Sequence, residues 1–262
     1  MSAMRGNAHE NLSVFATSRV GGPVGSTPAC RQIHTRSIAF THSTQANGVS
    51  MNPINDGQTF LFIGDSITDC GRHGPQAPYG DGYVSLFREL FIAKYPERRV
   101  TFINKGIGGN TVEDLNNRWE DDVMPIKPDW LSIKIGINDL HRTLGKTENA
   151  VPPKRFAELY DRIIARTFAV RKSELILVSP FYISRDFESD SFRSKVLAFL
   201  PEYIEVVEKM ASKYDARYVP MQDIYQKHLE IREADVFCPE PVHPNRTGHM
   251  VIAEAIMQAI EK

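Results

Sequence analysis

The chain has 262 residues, of which 42% are hydrophobic, 24% charged and 10% aromatic, with 17 glycines, 16 prolines and three cysteines. These values are ordinary for a folded globular protein and exclude the collagen-like, disulfide-rich and strongly disordered classes. The formal net charge is −1. Because the basic residues are scattered rather than clustered, neither nucleic acid nor a membrane surface is expected as a partner.

The first 55 residues differ in charge from the rest of the chain. They hold four arginines, no lysine and one acid, which gives +3 and leaves −4 on residues 56–262. The segment is rich in serine and threonine and poor in apolar residues, so we expect a disordered extension over residues 1–55. Two interpretations stay open, an organellar targeting peptide or an extension upstream of a start at Met51. Residues 56–262 taken alone would be assigned to the cytoplasm.

Residues 56–262 have the length of a single α/β domain. Short apolar runs that hardly alternate predict five buried strands, at Thr59–Ile63, Val100–Asn104, Trp130–Ile135, Leu175–Ser179 and Arg217–Val219. Stretches of helical period lie between and after them, at Tyr83–Lys94, Thr111–Asp121, Pro153–Val170, Phe192–Lys213 and Thr247–Glu261. This alternation predicts a three-layer α/β/α sandwich around a parallel sheet in the flavodoxin-like order 2-1-3-4-5.

Four polar segments follow predicted strands or precede the last predicted helix. They are Gly64–Asp69, Asn104–Thr111, Gly136–Asp139 and Glu240–Asn245. In an open parallel sheet, ligands bind beyond the carboxyl ends of the strands, where such loops meet. We therefore expect these segments to share one site.

The side chains of these segments suit acyl transfer. A serine hydroxyl needs a base, and an imidazole with an ordinary pKa near 6.5 can take its proton at neutral pH, so Ser66 and His243 form the candidate pair. The imidazolium needs an acceptor at its other nitrogen, and Glu240 is the nearest acid on the same loop. Candidate oxyanion donors are the N–H groups of Ser66 and Gly109 and the side-chain amide of Asn138.

The four segments together resemble the signature blocks of the SGNH (GDSL) hydrolase superfamily. These are Gly-Asp-Ser-Ile-Thr at 64–68, the glycine block at 104–111, Gly-Ile-Asn-Asp at 136–139 and the late acid-x-x-His-Pro at 240–244, in the family's order. Further runs at 62–72 and 128–130 are similar to the intracellular acetylxylan esterases. The resemblance implies the same α/β fold, a serine nucleophile at Ser66, a base at His243 and an oxyanion hole completed by Gly109 and Asn138.

One residue departs from the family pattern. The family has aspartate three residues before the histidine, whereas this chain has Glu240 between Pro239 and Pro241. Glutamate is one methylene longer, so it reaches the imidazole only if the loop retreats. The two prolines fix φ on either side. We expect Glu240 to act as the acid, the alternative being a loop that has drifted and lost this role.

Several other residues have a plain structural interpretation. Asp139 is expected to cap a following segment, and His249 to be a structural histidine of the last helix. Tyr79, Trp119 and Tyr182 could stack on a sugar ring, but aromatic residues of an α/β domain belong more often to the core. His73, His141 and Arg142 lie near the predicted rim and could contact sugar hydroxyls, but solvated loop residues are the simpler interpretation.

The sequence thus predicts a carboxylic ester hydrolase that removes acyl groups, with acetyl expected, from carbohydrates such as xylo-oligosaccharides. It needs no metal and no cofactor. Two alternatives remain: a thioesterase or lysophospholipase with the same mechanism, and a catalytically decayed module that binds acylated glycans. A homo-oligomer is left open.

Overall fold

The computed structural model describes residues 54–188 and 190–262. The first 53 residues of the predicted N-terminal extension lie outside this range. The strands are β1 (Thr59–Gly64), β2 (Thr101–Gly106), β3 (Trp130–Lys134), β4 (Glu174–Val178) and β5 (Arg217–Val219). The helices are α1 (Ser66–Asp69), α2 (Tyr83–Lys94), α3 (Val112–Asp122), α4 (Ile137–Leu144), α5 (Pro153–Val170), α6 (Phe192–Tyr214), α7 (Met221–Leu229) and α8 (Arg246–Glu261).

The five strands form one parallel sheet in the order β2-β1-β3-β4-β5. This order and the layered α/β architecture confirm the prediction. Helix α2 packs against α8, while α3 packs against α5 and α5 against α6. Right-handed crossovers place these two groups of helices on opposite faces of the sheet. None of the helices in the described residues combines the length and hydropathy needed to span a bilayer.

Aromatic side chains join β1 to the α2 side of the sheet. Phe60 and Phe62 project to one face because they are two residues apart, and their rings stack with centroids 4.4 Å apart. The Phe87 ring of α2 contacts both of them, at 5.2 and 5.3 Å. All three side chains are fully buried. β1 is therefore held rigidly, and its carboxyl end offers a firm base for the loop that follows.

A buried ion pair fixes that loop to the neighbouring strand. Lys134 at the end of β3 donates to both carboxylate oxygens of Asp65, at 3.0 and 3.3 Å, and both side chains are wholly inaccessible to solvent. Burial lowers the pKa of Lys134, and the negative charge of Asp65 opposes this effect. Two charges in a dry interior require each other, because either alone would lack solvation.

A second buried carboxyl lies on α4. Asp139 Oδ1 accepts a hydrogen bond of 2.9 Å from the N–H of Val112, at the start of α3. The prediction that Asp139 caps a following segment is therefore wrong, because its carboxyl group binds the first N–H of a helix that precedes it in the chain. Its Oδ2 has no hydrogen-bond partner among the described residues. Burial raises the pKa of Asp139 to about 8, and the charge of nearby Asp65 adds to the rise. The carboxyl group is therefore protonated at neutral pH.

We expect Lys134→Met to lower the free energy of unfolding by about 3–5 kcal/mol, because it leaves the Asp65 carboxylate buried without its cation. The double variant Lys134→Met/Asp65→Asn should recover much of this loss, since an amide oxygen can still accept from the N–H of Ile67. Urea denaturation of the three proteins measures both effects. A single variant as stable as the wild type would contradict the proposed dependence.

We expect Asp139→Asn to become progressively more stable than the wild type as pH rises. The unfolded chain releases this proton near pH 4, whereas the folded chain holds it up to about pH 8, so the wild type loses stability across that window. An amide has no proton to release. Unfolding in urea at several pH values from 5 to 9 tests this, and a difference that does not change with pH would refute it.

Candidate active site

Ser66 stands at the carboxyl end of β1, as the first residue of α1. The turn is set by Asp65, which is the N-cap of this helix and accepts a 3.0 Å hydrogen bond from the N–H of Ile67. A short polar residue at this position satisfies a backbone donor that the helix leaves unpaired. Since the same carboxylate pairs with Lys134, the helix that begins with Ser66 is tied to β3.

The end of β2 holds the other side of α1. Asn104 Nδ2 donates to the carbonyls of Thr68 and Tyr79, at 2.7 and 2.8 Å. A Cβ on Gly106 would lie 2.1 Å from the backbone nitrogen of Asp69, so only glycine allows this approach. The segment that carries Ser66 is thus anchored to both strands that flank β1.

Ser66, His243 and Glu240 form a continuous hydrogen-bonded chain. Ser66 Oγ lies 2.9 Å from His243 Nε2, and His243 Nδ1 lies 2.5 Å from Glu240 Oε1. Ser66 and His243 are 177 residues apart in sequence. They meet because the loop after β1 and the loop before α8 lie at the same edge of the sheet. An ionised carboxylate only accepts, so Nδ1 carries the proton and Nε2 is free to accept from the serine.

The Glu240 carboxylate is turned back onto its own loop. Oε2 accepts from the N–H of Val242 at 2.9 Å, and Oε1 accepts from the N–H of His243 at 2.7 Å. Partial burial acts to raise the pKa of Glu240, but these two N–H groups and the imidazole outweigh it and hold the pKa below its ordinary value. The longer side chain therefore reaches the imidazole as an ionised group.

The glycine loop after β2 lies beside Ser66. A Cβ built on Gly108 would come within 4.0 Å of the Ser66 Cβ. Gly109 has φ +77°, a conformation that favours glycine. The hydrogen bonds of the described residues include none from the N–H of Gly109 or of Ser66. These two backbone donors are thus available to a ligand.

Asn138 joins the same loop from α4. One hydrogen of its Nδ2 goes to the carbonyl of Asn110 at 3.0 Å, which leaves the second hydrogen for a ligand. The structure therefore gathers all five predicted site residues, Ser66, Gly109, Asn138, Glu240 and His243, at one edge of the sheet.

The remaining candidates have structural roles. Trp119 is fully buried and donates to Thr167 Oγ1, and Tyr182 is only 4% exposed. His249 is buried, and its Nδ1 accepts from the N–H of Tyr83 at 3.1 Å. Burial lowers the pKa of His249 to about 4, so it stays neutral at pH 7. It is a structural histidine of α8, as expected.

Two residues next to the site have roles that the sequence did not predict. Lys134 had a detectable signal, because a lysine inside an apolar strand requires a buried partner. Arg142 was interpreted as a solvated residue near the rim of the site, with contact to sugar hydroxyls as the alternative. It donates from Nη2 to the carbonyl of Gly109 at 2.9 Å.

A cleft of about 460 Å³ opens beside the loop that carries Glu240, which we call the acid loop. Its walls include Glu240, Arg193 and Arg232 together with residues 183–186 and 233–235. Most of these side chains are charged or polar, and the volume lies within the range of small-molecule sites. Of the predicted site residues, Glu240 lies in the wall of this cleft.

The comparisons with known proteins agree with this arrangement. The model of the GDSL-like lipase/acylhydrolase family matches residues 62–251. An acetylxylan esterase from Geobacillus stearothermophilus is 37% identical over 215 residues, which cover 79% of this chain and 95% of the relative. The uncharacterized protein YpmR of Bacillus subtilis is 28% identical over 76% of this chain and 80% of its own length.

Solved structures are similar over the same region. The crystal structure of an acetylxylan esterase from Geobacillus stearothermophilus superposes with a TM-score of 0.73 at 35% identity, covering 80% of this chain and 97% of that one. LAE5, an alpha/beta hydrolase enzyme from the metagenome of Lake Arreo, Spain, gives a TM-score of 0.72 at 32% identity, covering 79% and 96%. Since the family model spans most of the chain and these relatives match along nearly their whole length, the chain belongs to the GDSL-like lipase/acylhydrolase family.

Proposed function

We propose that this chain is a serine esterase that removes acetyl groups from carbohydrates such as xylo-oligosaccharides. The observation that carries the proposal is the continuous hydrogen-bonded chain of Ser66, His243 and Glu240, and the unpaired N–H of Gly109 on the glycine loop supports it. The names of the relatives, acetylxylan esterases, support the substrate class, and the polar cleft beside Glu240 is consistent with it.

The reaction proceeds through an acyl-enzyme. Ser66 Oγ attacks the ester carbonyl carbon while its proton passes to His243 Nε2. The negative charge that develops on the carbonyl oxygen is stabilised by the N–H groups of Ser66 and Gly109 and by Asn138 Nδ2. The bond to the sugar oxygen then breaks, and the imidazolium donates its proton to that oxygen.

Water completes the cycle. It attacks the carbonyl carbon of the acetylated serine and gives one proton to His243 Nε2. The imidazolium passes this proton to Ser66 Oγ as the bond between Oγ and the acyl carbon breaks, and acetic acid leaves and ionises to acetate in solution. During both steps Glu240 balances the charge of the imidazolium and holds its Nδ1 proton. The low pKa of Glu240 keeps this acceptor ionised at neutral pH.

Two alternatives are separated from this proposal by specific observations. A lysophospholipase or thioesterase would need an apolar channel for its acyl chain, whereas the relatives named as acetylxylan esterases favour a carbohydrate ester. A decayed binding module would have lost its acid, yet Glu240 is hydrogen-bonded to the imidazole. A cytoplasmic location remains a prediction from the sequence, and a homo-oligomeric state is left open by it.

Ser66→Ala should lower kcat by about 10⁶-fold, as expected when the nucleophile of a triad is removed. The measurement is acetate release from p-nitrophenyl acetate and from acetylated xylobiose. Ser85→Ala, on the partly exposed face of α2, serves as the matched control and should retain full activity. A wild-type protein that binds the sugar but releases no acetate would favour the binding module. Faster turnover of octanoyl than acetyl esters would favour the lipid alternative.

Glu240→Gln should lower kcat by about 10⁴-fold, because the amide fails to hold the imidazole in the productive tautomer. Glu240→Asp should fall between this variant and the wild type, since its carboxylate is one methylene farther from Nδ1. Relatives described as catalytic mutants carry an aspartate-to-alanine or a histidine-to-alanine change three positions apart, the spacing of Glu240 and His243. A Glu240→Gln enzyme with wild-type kcat would exclude Glu240 as the acid.

A further inference from the structure

Helix α4 holds the glycine loop through side chains on successive positions. Asn138 donates to the carbonyl of Asn110 at 3.0 Å, and Asp139 accepts from the N–H of Val112 at 2.9 Å. One turn later, Arg142 Nη2 donates to the carbonyl of Gly109 at 2.9 Å. The first two contacts fix the loop where it leaves toward α3. The third reaches Gly109, whose N–H is a candidate oxyanion donor.

The peptide that carries this N–H is bracketed by charged side chains. It joins Gly108 to Gly109. On its upstream side, the N–H of Gly108 donates to Asp69 Oδ2 at 3.1 Å. On its downstream side, Arg142 holds the Gly109 carbonyl. With the peptides before and after it fixed, the rotation of the central peptide, which carries the Gly109 N–H, is restricted.

Open space surrounds Gly109 on the side where a side chain would stand. A Cβ on Gly109 would meet nothing within 4 Å, and two consecutive glycines have more accessible backbone conformations than any other pair. A rotation of the 108–109 peptide would turn the N–H away from the substrate. Hydrogen bonds must therefore fix the orientation of this peptide, because no side chain of its own packs against a neighbour.

Arg142 is itself supported by an acidic residue of α3. Its Nη1 lies 3.8 Å from Asp114 Oδ2, and that oxygen accepts from both the N–H and the Oγ1 of Thr111, each at 2.8 Å. The Arg142 side chain is 28% exposed, so it is neither buried in the core nor free in solvent. The guanidinium is thus held between the capping box of α3 and the glycine loop.

We propose that Arg142 is a positioning residue that holds the Gly109 N–H in the oxyanion site by fixing the Gly109 carbonyl. This inference rests on the proposed esterase function. Arg142 acts through the backbone of the loop rather than on the substrate. Its loss should therefore affect the transition state, in which the oxyanion is formed, more than the binding of the ester.

Arg142→Ala should lower kcat for p-nitrophenyl acetate by about 10- to 100-fold with little change in KM, less than the 10²- to 10³-fold typical when a donor is removed outright. Arg142→Lys should retain part of the rate, because an ammonium can still donate to the carbonyl. Guanidinium chloride at concentrations far below those that unfold the protein should partly restore the Arg142→Ala enzyme and leave the wild type unchanged.

Arg155→Ala is the matched control. Arg155 is another partly exposed arginine that pairs with α3, donating to Glu113 Oε1 at 3.1 Å, but it does not touch the glycine loop; the variant should keep wild-type kcat. The inference is overturned if Arg142→Ala has wild-type kcat, if its loss is confined to KM, or if guanidinium restores nothing. These outcomes differ from failure of the esterase proposal, in which the wild type itself would release no acetate.

Discussion

The buried ion pair between Asp65 and Lys134 is the interaction on which the site depends. It joins the loop after β1 to the end of β3, and the same carboxylate caps the short helix that begins with Ser66. A helix of four residues is too short to be stable alone. The helix is stable because Asp65, its N-cap, is paired with Lys134 of the sheet. The buried charge of Asp65, although energetically unfavourable by itself, thus positions Ser66.

Most of the groups proposed to act in catalysis are backbone amides or short side chains. Such groups have too little apolar surface to be fixed by packing in the core, so their positions depend on hydrogen bonds from neighbouring elements. Asn104 secures α1 from one side, and the successive polar side chains of α4 secure the glycine loop from the other. Catalytic preorganisation, in which donors are aimed before charge develops, is here built from polar contacts around a rigid aromatic core.

The acid loop resolves the departure from the family pattern. A glutamate in place of aspartate would overshoot the imidazole on an unchanged loop. Here the carboxylate folds back onto the N–H groups of Val242 and His243, which uses the extra methylene and holds the pKa low. The acid loop thus accommodates the longer residue at position 240 without losing the contact between its carboxylate and His243 Nδ1.

The strand order and the meeting of four polar segments could be predicted from the sequence, because buried parallel strands and right-handed crossovers leave few topologies. The segments containing Ser66, Asn138 and His243 were likewise recognisable, since acyl transfer needs those residue types in that arrangement. Helices α1, α4 and α7 were missed, because four to nine residues carry too little periodicity to detect. Only the tertiary structure decided the partners of Lys134, Asp139 and Arg142. Each of these side chains binds a group that is far away in the chain, and the sequence around it does not show which distant loop the fold brings within reach.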